Sequence, residues 1–486
     1  MLFDEIKDAF KHSVVYGGGA AIRNAMALLL IPLYGTFLTE TEYGIFEVLE
    51  ATARFLLVVL EMQMGSAYIL AVMYEEKADR QTVVSTAFSF LAISAFIMTA
   101  ILIGASRPLS ALLLGNTQYR PLVAMVLLMV FFQVFRTVAL ARLRAEKQSK
   151  LYSGLVGTTA ALQVGFCFVA LAVLRKGLAG AVAANTIAAA VVVILYLVTI
   201  KSDLVRRFST SCLKSMLKFG VPLVPAALAA TALTFSDRYF LRLFRSFGEV
   251  GLYGMGYRFG MVMGLAVAAV QMAWPPVVYE AAKRDDASKF YALFLTYFFF
   301  ALCFLALGLI LFSPDIIHAI LPRWTAAIPV VPWIVVSYIF WGIQAVTNVG
   351  VCLKKKTHHL ALVIVAGAGL NLLLNWFLIP NYGVIGAAAA TLVSYAVIAA
   401  AAVAVSLRLY PIKYEYGRLL KIALVACLLA SVAFPATKLG NVGLGIAVKA
   451  ACLLLFPFAL YAIRFYTVDE LSYVRNWLFA FRAPRK

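Results

Sequence analysis

The most chemically informative residues of the chain are four charged side chains inside one apolar segment. Glu47, Glu50, Arg54 and Glu61 all lie in the range 43–64. On a helix that advances about 100° per residue, the four side chains project within an arc of about 60°. An ionised side chain at the centre of a bilayer costs about 2.5–3.5 kcal/mol, so a face with four of them is excluded from lipid. The spacing therefore predicts a helix whose charged face contacts partner helices or a cavity.

Two roles are open for this charged face. Glu50 and Arg54 are four residues apart, which predicts either an internal ion pair or a pair that also lines a cavity. Glu47 lies nearer one end of the segment, where we expect it to be solvated. The acids Glu50 and Glu61 are candidates for charge pairing or for binding a coupling ion.

A second charged stretch is SDRYFLRLFRSFGEVGLYGMGYRFG, residues 236–260. Arg238, Arg242 and Arg245 recur at helical spacing, and this row is predicted to anchor the rim of the molecule at the membrane surface. Asp237 is the natural neutralising partner of an arginine. As an acid within the membrane, it is also a candidate proton or sodium site.

Two further arginines lie deeper in their apolar segments. Arg23 and Arg258 are each about a third of the way along, which is too far from the end to reach the membrane surface easily. Neither has an acid at the i±4 positions that would neutralise it within its own helix. We therefore expect both side chains to face the interior of the bundle.

The segments that carry these charges belong to a chain built almost wholly of apolar helices. Of its 486 residues, 64% are hydrophobic and 13% are charged, with a mean hydropathy of +0.93. Because a helix needs about 20 apolar residues to cross a bilayer, the sequence predicts an all-α polytopic membrane protein with about 14 transmembrane helices. Their starts lie near Val14, Tyr43, Thr82, Leu122, Leu151, Leu178, Leu217, Val250, Phe290, Ile328, His359, Val384, Leu419 and Val442. The short connectors leave no room for a soluble catalytic domain, so we expect no enzyme.

The net charge of +20 is distributed as in a membrane protein rather than as in a nucleic-acid-binding protein. Lysine and arginine are roughly three times as frequent in the connectors on one side as in those on the other, which follows the positive-inside rule. This bias predicts that both termini are cytoplasmic. We expect no removable signal peptide, because no small-residue cleavage site precedes the first span. The six cysteines are scattered, so neither disulfides nor a metal site is predicted.

An internal repeat divides the chain. EYGIFEV at Glu42–Val48 recurs as EVGLYGM at Glu249–Met255, and GLAGAVAANTIA at Gly177–Ala188 recurs as GVIGAAAATLVS at Gly383–Ser394. A repeat unit with an even number of spans gives two parallel copies, and transporters of this build place the substrate path between them. The predicted units are an N-terminal six-helix lobe at 1–206, a C-terminal six-helix lobe at 207–408, and two additional helices with a cytoplasmic tail at 409–486.

The segment LNLLLNWFLIPNYGVIGAAAATLVSY, residues 370–395, resembles bacterial polysaccharide flippases of the O-antigen and capsule type. These proteins belong to the multidrug/oligosaccharidyl-lipid/polysaccharide exporter superfamily. SDRYFL followed by GEVGLYGMGYRFG is similar to that family's Asp-Arg motif and Gly-Leu-Tyr turn, and the chain also resembles lipid-linked peptidoglycan precursor flippases. The resemblance implies two lobes that carry a lipid-linked oligosaccharide across the bacterial cytoplasmic membrane, from the inner to the outer leaflet, by alternating access.

The resemblance also favours a set of cavity residues. It places substrate-binding arginines on the first, second and eighth helices, which here are Arg23, Arg54 and Arg258, and we include Arg238 as a fourth candidate. A polyprenyl-pyrophosphate glycan brings about two negative charges, and a guanidinium group binds phosphate oxygens in pairs. No cofactor is expected, and a proton or sodium gradient is the expected energy source.

Two other functions are open. A multidrug exporter of the same superfamily would bind organic cations and favour a cavity rich in carboxylates. A membrane-embedded glycan polymerase or ligase would need a sizeable external loop, and the longest external connector has only roughly 16 residues. The expected partners are the lipid-linked glycan, membrane lipids and other polysaccharide assembly proteins.

Overall fold

The computed structural model describes residues 22, 25–26, 28–74, 79–435, 442–468, 470 and 472, and Arg23 lies outside them. Within these ranges the chain is helical, without a β-strand. The helices are α1 Leu28–Phe37, α2 Glu40–Glu61, α3 Met64–Tyr74, α4 Arg80–Gly104, α5 Ser106–Leu114, α6 Arg120–Ala145, α7 Ser149–Phe168, α8 Gly177–Ile200, α9 Thr210–Gly220, α10 Val224–Phe244, α11 Phe247–Gly260, α12 Val262–Ala281, α13 Ala287–Ile320, α14 Val330–Thr347, α15 Val349–Leu353, α16 His358–Leu409, α17 Tyr416–Ala433 and α18 Val442–Ala462. The predicted all-α membrane fold is confirmed.

The predicted count of about 14 spans agrees with the observed helices. In the described ranges, 12 helical segments are long and apolar enough to cross a membrane, and α1 is a shorter apolar helix in the first predicted span. The 52-residue α16 is two spans, because Gly383 interrupts it with φ 54° and ψ −130°, a backbone conformation that only glycine adopts readily. The break falls next to the predicted start at Val384. The lobe boundaries at 206 and 408 stay a prediction.

One end of the bundle is closed by two glycines that occupy equivalent positions in the repeat. A Cβ atom added to Gly44 on α2 would overlap the carbonyl oxygen of Phe247, and one added to Gly251 on α11 would overlap that of Glu40. The backbones of α2 and α11 therefore touch directly, which only residues without a side chain permit. We call this contact the glycine crossing and this part of the molecule the Glu40 end.

Further from the Glu40 end, the elements that follow α2 and precede α10 contain breaks. Met62 and Gln63 separate α2 from α3 and have φ of 45° and 54°, and residues 221–223 separate α9 from α10. Gly220 lies against the first break, since a Cβ there would be 2.5 Å from the Met62 carbonyl oxygen. Gly220, the last residue of α9, is therefore packed against the break between α2 and α3, whereas residues 221–223 are exposed.

The two C-terminal helices, α17 and α18, pack on α13. Lys449 of α18 is 1% exposed, and its ammonium group lies 2.6 Å from a carboxylate oxygen of Asp315 on α13. A buried lysine is retained in an apolar region only when it is paired, so this ion pair fixes the position of the C-terminal hairpin.

Candidate functional site

The charged residues that the sequence singled out on three different helices meet just inside the glycine crossing. Arg258 of α11 lies between two acids of α2, with Nη2 at 3.0 Å from Glu47 Oε1 and at 2.9 Å from Glu50 Oε2. Its Nε atom also donates to Glu47 Oε1 at 3.1 Å. The acids that neutralise Arg258 thus come from a partner helix, which the i±4 positions within α11 do not reveal.

Arg238 of α10 completes this group from the other side of Glu47. Its Nη1 atom lies 2.6 Å from Asp237 Oδ1, and its Nε atom lies 3.5 Å from Glu47 Oε2. Glu47 therefore uses one carboxylate oxygen for Arg258 and the other for Arg238. We call the set Glu47, Glu50, Arg54, Asp237, Arg238 and Arg258 the charge cluster.

The expectation that Glu47 is solvated is wrong, since this residue is 3% exposed. The reason lies on the facing helix: α11 has Gly254 at this level, and a Cβ there would be only 2.7 Å from Glu47 Cγ. The expectation of an arginine row at the membrane surface is also wrong for its first member. Arg238 is buried at 2% exposed, whereas Arg242 is half-buried and Arg245 is exposed.

The charge cluster is balanced in charge and open on one side. It contains three arginines and three acids, which suits a buried position because an unpaired charge there would be very costly. The side chains of Glu47, Asp237 and Arg238 are at most 4% exposed. Exposure rises through Arg258 at 15% and Glu50 at 26% to Arg54 at 46%. The Arg54 guanidinium, 3.0 Å from Glu50, is therefore the most exposed edge of the cluster.

Aromatic rings enclose the two buried guanidinium groups. The guanidinium carbon of Arg238 lies 4.5 Å from the ring centre of Tyr257 and 5.2 Å from that of Tyr253. That of Arg258 lies 5.5 Å from Tyr34. Such contacts add cation–π attraction and exclude water. Sequence reasoning missed these tyrosines, although the i, i+4 spacing of the two on α11 beside an intramembrane arginine was a usable signal.

Asp237 also contacts a buried group of uncharged polar side chains on α10, α11 and α16. Its second carboxylate oxygen accepts a short hydrogen bond from the Tyr253 hydroxyl, which lies 3.4 Å from Thr391 Oγ1. Asn371 Oδ1 accepts from Ser236 Oγ at 3.3 Å and from Asn375 Nδ2 at 3.0 Å. We call Ser236, Asp237, Tyr253, Asn371, Asn375 and Thr391 the polar pocket.

The polar pocket has unused hydrogen-bonding capacity. Among the described residues, the Nδ2 atom of Asn371 and the Oδ1 atom of Asn375 are buried without a hydrogen-bond partner. The Asn375 oxygen is an acceptor that a cation could use, whereas the Asn371 NH2 group is a donor and would need an acceptor instead. An amide oxygen, a carboxylate and hydroxyls are ligands suited to a hard monovalent or divalent cation.

Two predicted site residues are not part of this assembly. Glu61 lies eleven residues beyond Glu50, about 16 Å further along α2, and accepts a 2.6 Å hydrogen bond from Thr137 Oγ1 on α6. Arg23 lies outside the described residues. The other predicted residues, from both predicted lobes, are brought together.

Comparison with solved structures identifies the class of fold. The chain is similar to the lipid II flippase MurJ in its inward closed conformation, with a TM-score of 0.76 and 14% identity over 93% of this chain and 100% of that chain. An inward-facing multidrug resistance MATE family transporter of the MOP superfamily gives 0.65, with 14% identity over 82% and 97%. A Vibrio cholerae MATE transporter gives 0.57, with 18% identity over 83% and 97%. The fold is that of membrane transporters of this superfamily.

The sequence places the chain within that class. The family described as "Polysaccharide biosynthesis protein" matches residues 10–282, more than half of the chain. The protein belongs to this family. A comparison with curated proteins finds no match.

Proposed function

We propose that the protein flips a lipid-linked oligosaccharide from the inner to the outer leaflet of a bacterial cytoplasmic membrane by alternating access. The observation that carries this proposal is the charge cluster, a buried and balanced set of ions between the two halves of the repeat with one exposed edge. Membership in a polysaccharide biosynthesis family and the flippase fold support it.

The substrate's pyrophosphate binds at the exposed edge of the cluster. The carboxylate oxygens of Glu50 lie 3.0 Å from Arg54 Nη2 and 2.9 Å from Arg258 Nη2. Phosphate oxygens are hydrogen-bond acceptors of the same kind. A pyrophosphate with about two negative charges therefore competes with Glu50 for both guanidinium groups. Arg238 holds Glu47 in place beneath them and contributes positive charge without direct contact.

This exchange couples binding to the opening of the glycine crossing. With both termini cytoplasmic, the Glu40 end faces the outer side, so the molecule is closed on the outside. The salt bridges from Arg258 to Glu47 and Glu50 span the same α2–α11 interface as the crossing. Substrate that replaces Glu50 removes one bridge across that interface and so favours its opening toward the outer leaflet.

A coupling cation binds at Asp237 in this proposal. The polar pocket offers the Asp237 carboxylate, the unpartnered Asn375 oxygen and the Thr391 hydroxyl. These oxygen ligands favour sodium over a proton. Export that depends on external pH but not on sodium, and is lost in Asp237→Asn, would assign the site to a proton instead.

The second candidate is a multidrug exporter, which the three acids of the cluster and the MATE-like fold favour. The two functions differ in which residue is needed at the exposed edge. An anionic substrate requires Arg54, whereas an organic cation requires Glu50 and is repelled by Arg54.

The test uses a strain that lacks the gene and expresses variants at matched membrane abundance. We expect Arg54→Ala to reduce surface polysaccharide at least tenfold and Arg54→Lys to recover only part of it, since lysine lacks the bidentate fork. Arg107→Ala, an exposed arginine outside the cluster, is the matched control.

A double variant separates substrate binding from simple ion pairing. If Arg54 only neutralises Glu50, then Glu50→Gln/Arg54→Gln restores export, because replacing both members of a pair is often tolerated. Continued failure of this double variant supports phosphate binding. Normal polysaccharide from it, together with efflux of an organic cation dye that is lost in Glu50→Gln alone, would favour the multidrug function.

A further inference from the structure

The helix α9 has one face packed into the protein and another that lines an open surface groove. On the packed face, Met216 is 1% exposed and Gly220 lies against the break between α2 and α3. The other face borders a groove of about 560 Å³. Its lining residues are Thr210, Leu213, Lys214, Leu217, Lys218, Val221 and Pro222.

The lining of this groove combines two cations with an apolar floor. Lys214 and Lys218 are one helical turn apart and exposed, so both ammonium groups reach the same side. The residues of α9 include no acid that would neutralise them. Leu213, Leu217 and Val221 form the floor beside them. The lysine edge of the groove therefore suits an anionic group, and the apolar floor suits a hydrocarbon chain.

The position of α9 places the two lysines at a membrane surface. The helix begins directly after the charged linker KSDLVRRFS and starts the span that ends at Phe244 near the Glu40 end. Its first turn therefore lies at the opposite membrane surface, where lysine side chains extend to the headgroup level. The two lysines lie at a membrane surface in either orientation of the protein.

We propose that this groove binds an anionic phospholipid of the surrounding bilayer, with its phosphate on Lys214 and Lys218 and an acyl chain along the apolar floor. The groove is lined only by α9 and the turn that follows it, at the membrane surface opposite the Glu40 end, whereas the charge cluster lies on α2, α10 and α11 just inside that end. The proposed occupant is therefore a membrane lipid rather than the transported one. Free phosphate would use only the lysines and would leave the floor uncovered.

A lipid bound here is placed to stabilise the packing of α9 at this end of the molecule. The groove residues belong to the same short helix whose opposite face contacts α3 and α4. Beside it, the Ser209 backbone N–H donates to Thr86 Oγ1 on α4 at 3.1 Å, and Gly220 contacts the break at Met62. A lipid that holds α9 in place therefore also holds the packing of Gly220 against the break between α2 and α3.

The test is native mass spectrometry of the purified full chain titrated with phosphatidylglycerol or phosphatidylcholine. We expect phosphatidylglycerol to bind more tightly, and Lys214→Gln/Lys218→Gln to weaken it by about 25-fold, since each basic residue near anionic headgroups contributes roughly fivefold. Lys354→Gln/Lys356→Gln removes the same charge from the exposed loop after α15 and is expected to leave binding unchanged. Equal weakening by both pairs would contradict the proposal.

A second variant tests the apolar floor without changing charge. Leu217→Trp fills the groove and is expected to weaken phosphatidylglycerol while both lysines remain. Unchanged helicity and elution volume show that each variant is folded. Displacement of bound phosphatidylglycerol by millimolar inorganic phosphate would mean a simple phosphate site. Displacement by a polyprenyl-pyrophosphate lipid at equal concentration would assign the groove to the transported substrate. Either result would overturn the assignment.

Discussion

The helices α2 and α11 occupy equivalent positions in the repeat and cross each other, but they carry different side chains at the crossing. Both have a glycine at the point of closest approach, Gly44 on α2 and Gly251 on α11. One turn further, α2 has Glu47 where α11 has Gly254. The repeat therefore keeps the backbone contact on both helices and gives the side-chain volume and the negative charge to only one of them.

The charges of the cluster follow the same division. The α2 helix supplies Glu47 and Glu50, while the residue of α11 that corresponds to Ala51 is Arg258. Each half of the repeat thus neutralises the other across the crossing, and neither is balanced alone. Parting the two helices exposes uncompensated charge, so a ligand that supplies replacement charge favours the open arrangement.

Removing the shared acid is expected to have the largest effect on this arrangement. Glu47→Gln leaves Arg238 with Asp237 and Arg258 with Glu50, and the cluster gains one net positive charge in a buried position. We expect a loss of about 3 kcal/mol in the free energy of unfolding, the low end for breaking a buried pair. Thermal unfolding in detergent measures it.

The matched control for Glu47 lies on the same helix. Glu61→Gln keeps an oxygen that accepts from Thr137 and involves no buried arginine, so its effect is expected to stay below about 1 kcal/mol. Glu47→Gln/Arg258→Gln restores the charge balance and should recover part of the loss. If Glu47→Gln and Glu61→Gln destabilised the protein equally, the stability of the cluster would not depend on Glu47.

Substituting a glycine of the crossing tests the backbone contact that α2 and α11 share. Gly44→Ala places a Cβ on the Phe247 carbonyl, which is backbone and cannot rotate away, so we expect the Glu40 end to open at a cost of about 1–3 kcal/mol. Hydrogen exchange of the backbone amides at 40–50 and 247–257 should accelerate. Gly154→Ala, whose Cβ meets no atom within 4 Å, should leave that exchange unchanged. If amide exchange stayed slow in both variants, the glycine crossing would accommodate the added Cβ atom without opening of the Glu40 end.

The fold could be predicted from the sequence because its main determinants are local. Apolar segments of sufficient length define spans, and the start predicted at Val384 matches a helix break that Gly383 makes sterically accessible. The burial of Glu47 could not be predicted, since it depends on the missing side chain of Gly254 on a helix about 200 residues away.

The candidate site was predictable in its members but not in its pairing. Helical periodicity identified Glu50 and Arg54 as residues excluded from lipid, and its depth in the apolar segment identified Arg258. Each of these conclusions needs only one helix. Which acid neutralises which arginine depends on how α2, α10 and α11 cross, and no spacing within one helix contains that information. The hydrogen bond from Tyr253 to Asp237 could not be predicted for the same reason, because it exists only where α10 and α11 are adjacent.

The smallest expected effect comes from making the two helices alike at one more position. Tyr253 on α11 corresponds to Phe46 on α2, so Tyr253→Phe removes a single hydroxyl and gives both halves the same ring. The hydroxyl donates to Asp237 and lies beside Thr391, and its loss should cost about 1.5 kcal/mol in the free energy of unfolding, the low end for a hydrogen bond to a charged group. Because Asp237 then lacks one partner, the proposed binding of a cation in the polar pocket should also change, which sodium titration of the unfolding temperature detects. Tyr382→Phe, an exposed tyrosine on α16, is the control and should change neither quantity. If Tyr253→Phe lowers stability but leaves the sodium dependence intact, the hydroxyl serves packing alone. If the sodium dependence disappears while Arg238 and Glu47 are unchanged, the asymmetry between α2 and α11 extends from charge balance to cation binding.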